Sequence, residues 1–246
     1  MRIKIDSFVV EGNAHFPTDY NLLWDSLRQC LDIIKHLIKS NSAYNEGWRK
    51  IEHWRRTLKS QMRELSHATV DKSKNRQTRL KKAAKEYLRT AGQLSGKLHK
   101  IRISGALTVV DVVLLEQLEY FCKMLDQHID LVDRRLLKGE KIPHEEKIFS
   151  IFEPWVEWIS KGKAHKPVKL GKRTLIATDQ WHFATDWWVA DHQQDHQLLF
   201  ASLDRIRQHH QVSRCSGDKA FFSKDDVKLI ELFNIKAVIP KKGNAV

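Results

Sequence analysis

At 246 residues the chain is long enough for one large domain or two small ones. Hydrophobic residues make up 41% of it, which is enough for a real core. A formal net charge of +13 favours a polyanionic partner, nucleic acid ahead of an acidic membrane surface. The cysteines Cys30, Cys122 and Cys215 are widely separated and form no C-x-x-C pair, so neither a disulfide framework nor a zinc knuckle is expected. No apolar run reaches the roughly 18 residues of a membrane span, and the N-terminus has no signal-peptide stretch, so a cytoplasmic protein is expected.

The first segment, RIKIDSFVV, alternates Ile3, Ile5 and Ser7 against Lys4, Asp6 and Phe8 and predicts a strand. Thr18 or Asp19 then suits the cap of a helix whose Leu23, Leu27, Cys30, Ile34 and Leu37 recur at helical spacing. Helical stretches at about residues 44–67, 76–102 and 109–137 follow, with Gly47, Gly92, Gly96 and Gly105 as weak points. Gly139, Pro143 and Pro154 interrupt the helical period and mark a boundary. Beyond it KRTLIATD and HFATDWWVA predict two strands joined by a short turn. A helix over DHQLLFASLDRIRQHH, a strand VSRCSGD, a helix capped by Ser223 and a last strand KAVIP stopped by Pro240 complete the order. The predicted fold class is α/β, a mixed sheet with a large all-helical insertion after its first strand.

Two segments near opposite ends of the chain, DSFVVEGNAHFPTD and CSGDKAFFSKDDVKLIELFNIKAVIPKKG, resemble the DDE transposases of bacterial insertion sequences, and KIPHEEKIFSIFEPWVEWISKGK resembles that family's approach to its second strand. The resemblance implies an RNase H-like core. It assigns residues 1–17 to the first catalytic strand, 18–138 to a helical insertion, and 139–246 to the remainder of the core. Asp6 and Asp218 would be the first two members of a catalytic triad holding Mg²⁺ or Mn²⁺, the partner DNA (element ends and target), and intact relatives homo-oligomers. No membrane and no small-molecule substrate is implied. The family's third carboxylate, a glutamate on a helix beyond the I-P-K-K-G strand, and a region before the first strand are not in the sequence, so a fragment truncated at both ends is expected. One flank of its sheet would be left uncovered. Ala220 stands where the family has glycine, and Trp155 where a small or polar residue is expected. If the Ala220 position needs a positive φ, alanine strains the backbone beside Asp218.

The chemistry accounts for the carboxylates, since in-line displacement at phosphorus uses divalent ions and Mg²⁺ takes oxygen ligands. Asp179 reads as a turn residue, and Asp225, Asp226 and Glu231 as helix acids, the first two favoured by the helix dipole. His192 to His196, HQQDH, are expected to be solvated loop and cap residues rather than a zinc site. A basic stretch, Lys72, Lys74, Arg76, Arg79, Lys81, Lys82, Lys85 and Arg89, is balanced only by Asp71 and Glu86 and suits phosphate contact. Trp48 and Trp54 can stack on bases or sit in the core. Trp155, Trp158, Trp187 and Trp188 are read as packing residues, the last two on opposite faces of a strand. Lys161, Lys163, Lys241 and Lys242 are further candidates for the DNA backbone. Two other readings stand beside the enzyme: a non-catalytic DNA-binding protein, and a decayed remnant without a stable fold.

Overall fold

The computed structural model describes residues 1–40, 44, 47–101, 107–160 and 168–241. They form two compact units, one of residues 15–154 and one of residues 1–14 with 155–246. The whole is mixed α/β, with six α-helices and one open mixed sheet among the described residues.

The first unit is helical. Helices α1 (Asp19–Ser40), α2 (Ile51–Val70), α3 (Arg76–Leu98) and α4 (Val109–Val132) enclose one core. The predicted α1 stripe of Leu23, Leu27, Cys30, Ile34 and Leu37 is buried in it. Trp48 is buried in the same core and Trp54 packs against it, which settles the choice left open for these two indoles. Helix α4 starts at a reciprocal cap, with Thr108 Oγ1 accepting from the Asp111 N–H at 3.1 Å and the Asp111 carboxylate accepting from the Thr108 N–H at 3.0 Å. After α4 a single π-helical stretch, Asp133–Lys138, ends at Gly139 with φ +76. Residues up to Pro154 belong to this unit because Ile142 and Ile151 are buried, Tyr120 Oη donates to the Ile151 carbonyl at 2.9 Å, and Arg134 joins Asp130, Glu140 and Glu146.

The second unit is the sheet, with strands β1 (Arg2–Glu11), β2 (Glu157–Ser160), β3 (Val168–Thr178), β4 (Ala184–Val189), β5 (Arg214–Ser216) and β6 (Lys236–Val238) and helices α5 (Asp195–Arg207) and α6 (Lys224–Leu232). The spatial order is β2-β3-β1-β5-β6, with β4 also paired to β3. Strand β1 runs antiparallel to β3 and parallel to β5, and β5 is parallel to β6. One face of the sheet is dry. There Ile3, Ile5, Leu175, Ala177 and Cys215 pack with Leu199, Leu203 and Ile206 of α5 and Ile230 of α6. Strand β2 has only four residues and lay outside the predicted elements, since so short a segment shows no periodicity of its own. The close approach of β1 and β3 depends on Gly171, where a Cβ would lie 2.0 Å from the Val10 carbonyl oxygen.

Candidate functional site

The alternation that buries Ile3 and Ile5 turns Asp6 to the opposite, exposed face of β1. Its register with β5 pairs Arg2 with Arg214, Ile3 with Cys215 and Lys4 with Ser216. The pairing ends at Lys4 and Ser216, and Asp6 and Asp218 each follow that last pair by two residues, Asp6 still within β1 and Asp218 just beyond β5. Asp218 is exposed and caps a short 3₁₀ turn, Lys219–Phe221, by accepting from the Ala220 N–H at 2.7 Å. Asp6 Oδ1 accepts the N–H of Ser7 at 2.8 Å. Neither carboxylate meets a Lys, Arg or His within salt-bridge distance among the described residues. Exposed carboxylates of this kind, without an ion pair among the described residues, are oxygen ligands of the type a hard divalent ion takes.

Ala220 causes no strain at this turn, because the non-glycine residues with positive φ are His182, His192 and Asn234. Asp179 is a turn residue, accepting from the N–H groups of Trp181 and Phe183, each at 2.9 Å. Asp225 and Asp226 lie in the first turn of α6 behind the Ser223 cap, with Glu231 further along the same helix.

A second group of metal-type ligands was not foreseen. Donor atoms of Glu157, Asp191 and His192 all lie within 4.8 Å of one another and can hold a metal ion. They come from β2, from the loop two residues past β4 and from a residue at φ +59, so no sequence motif links them. The ammonium of Lys172 already stands among them, 2.6 Å from Glu157 and 2.7 Å from Asp191, and those carboxylates hold its pKa up against the opposing effect of burial. An incoming ion would have to displace that ammonium. His196 is not part of the group.

The basic stretch lies on α3 and the loop before it. Arg79 is engaged by Asp71 at 3.2 Å and Arg76 donates to the Thr69 carbonyl at 2.7 Å, whereas Lys74, Lys81, Lys82 and Lys85 are exposed and form no ion pair among the described residues. Lys241 is exposed after β6, and Lys161, Lys163 and Lys242 lie outside the described residues, as does Gly105. The tryptophans divide. Trp188 faces α5 beneath the Arg205 guanidinium, 4.5 Å from the ring centroid, while Trp187 on the other face is 68% exposed and Trp155 is 56% exposed. Reading these two as packing residues is therefore corrected; β4 lies at the sheet edge, and Trp187 points away from the dry face. Cys30 and Cys122, distant in sequence, meet as a thiol–thiol hydrogen bond between α1 and α4 that, with burial, pushes the Cys30 thiol up. Burial alone pushes Cys215 up to about 12, so it is an inert core thiol.

No helix of the described residues is long and apolar enough to cross a membrane. Comparison with family models, curated proteins and solved structures gives no match to this chain.

Proposed function

We propose that the chain belongs to a DDE-class transposase with an RNase H-like core, acting on DNA in the cytoplasm, with Asp6 and Asp218 as two of its catalytic carboxylates. The observation that supports this reading is the parallel pair β1 and β5, whose last register partners Lys4 and Ser216 are each followed two residues later by an exposed carboxylate, Asp6 and Asp218, with no ion pair among the described residues. The antiparallel run β1-β3-β4, followed by two parallel strands reached through α5 and α6, supports the RNase H-like assignment. Asp6 and Asp218 would hold Mg²⁺ or Mn²⁺, which when bound activates an attacking oxygen and stabilises a leaving one. Lys74, Lys81, Lys82 and Lys85 on the helical unit, with Lys241 on the other, would neutralise DNA phosphates.

The test is nicking of supercoiled DNA in Mg²⁺ or Mn²⁺. Nicking that Asp6→Ala abolishes supports the enzyme. The free cations of α3 favour a second reading, a non-catalytic DNA-binding protein, and salt-sensitive binding without nicking would select it. A broad, non-cooperative melt would instead indicate a remnant without a stable fold.

A further inference from the structure

The face of the sheet opposite α5 carries an arrangement that the transposase reading does not use. Arg2, Arg214 and Lys236 are register partners on β1, β5 and β6, so three exposed cations stand in one row across three neighbouring strands. Lys4, two residues along β1, is exposed on the same face. None of the four has a carboxylate partner among the described residues, although Arg134, Arg173, Arg205 and Lys172 elsewhere all do. Like charges on adjacent strands repel, so the row works against the stability of the sheet.

Along the same face the character changes from cationic to aromatic. Asp6 pairs with Ile176 and Ile176 with Trp187, which puts Trp187 in the row of Asp6, two strands and therefore about 10 Å away. Phe8 lies on this face one row further and is 47% exposed. A flat sheet offering an indole and a phenyl ring beside a row of cations matches what an unpaired strand presents, bases with open π-faces on an anionic backbone. Duplex DNA would use the cations but leaves Trp187 and Phe8 in water, because its bases are stacked on one another.

We propose that this face, with Arg2, Lys4, Arg214 and Lys236 at one end and Phe8 and Trp187 at the other, binds a single strand of DNA, its bases on the rings and its phosphates on the cations. The inference rests on the transposase reading only in taking DNA as the ligand, and it specifies that the strand near Asp6 is unpaired. Asp6 itself repels such a strand unless a cation intervenes.

The experiment is fluorescence anisotropy of the full chain with a labelled oligo-dT of about 20 nucleotides in EDTA. Trp187→Ala is expected to weaken binding about 5- to 150-fold, corresponding to about 1–3 kcal/mol per stacked base, while Trp187→Phe keeps most of it. Arg214→Gln, which leaves the aromatic end intact, should reduce the slope of log affinity against log salt by about 0.7. A duplex of equal length should show no dependence on Trp187. Unchanged oligo-dT binding in both Trp187→Ala and Arg214→Gln overturns the proposal, as does a change in Trp187→Ala confined to the oligomeric state by light scattering, which would make the face a protein interface. Strand binding that needs Trp187 without any nicking leaves this inference standing and removes the catalytic one. Asp6-dependent nicking with Trp187-independent binding does the reverse.

Discussion

At the scale of single residues, Asp6 and His128 each make a prediction. Asp6 stands between cations and aromatic rings on the exposed face of β1, with Ser7 as its hydrogen-bond partner. Asp6→Asn should therefore tighten oligo-dT binding in EDTA and remove any gain from Mg²⁺; binding assays with and without the ion would read both effects. His128 is fully buried on α4, and its Nδ1 lies 2.6 Å from the Met124 carbonyl oxygen, so Nδ1 carries the proton. Nε2 is then a buried acceptor without a partner among the described residues. Burial lowers its pKa from 6.5, while the Met124 carbonyl and the nearby Asp19 and Asp25 act in the opposite direction. With the folded pKa depressed, the unfolded chain binds the proton first, so the stability of the helical unit should fall as pH drops below about 6.5. His128→Leu should flatten that acid limb in melts across pH 5 to 8. An acid limb as steep as that of the wild type would place its origin elsewhere.

At the scale of elements, the cap of α4 and the pairing of β1 with β3 are the most exposed to single changes. Thr108→Ala removes the Oγ1 acceptor of the Asp111 N–H, leaves the backbone N–H of residue 108 on the Asp111 carboxylate, and should cost about 1 kcal/mol by urea denaturation. Gly171→Ala puts a methyl group 2.0 Å from a backbone oxygen that no rotamer change can move, so β1 must separate from β3 there. We expect a loss above about 3 kcal/mol, or failure to fold. These elements also show what could be read from the sequence. Helix α1 was legible because five apolar residues at helical spacing all face one core, and β1 because Ile3 and Ile5 alternate with charge. The turn function of Asp179 and the cap at Ser223 followed from local chemistry. Strand β2, the exposure of Trp187 and the meeting of Cys30 with Cys122 were not legible. Each depends on which strand or helix lies alongside, and that is decided by tertiary packing.

At the scale of the whole molecule, the charge of +13 is unevenly used. Many cations are spent in ion pairs, whereas Lys74, Lys81, Lys82 and Lys85 on one unit and Arg2, Lys4, Arg214 and Lys236 on the other form none among the described residues. Duplex affinity should accordingly fall steeply with salt, and replacing Lys81, Lys82 and Lys85 together by Gln should lower the slope by about 2.7 if each meets one phosphate. An unchanged slope would remove α3 from the interface. The candidate site itself was only partly legible. Asp6 and Asp218 are singled out by motif alone, each two residues past the last β1–β5 register pair, while the Glu157, Asp191 and His192 group and the open sheet face carry no contiguous sequence signal.

The central claim is that Asp6 and Asp218 together hold a divalent ion. Titration with Mn²⁺ followed by electron paramagnetic resonance tests it without requiring turnover, because the signal of free Mn²⁺ disappears on binding. The account predicts one bound Mn²⁺ that is lost in Asp6→Asn and in Asp218→Asn and kept in Glu157→Gln. Binding that survives both aspartate changes and disappears with Glu157→Gln, or no binding at all, would contradict it.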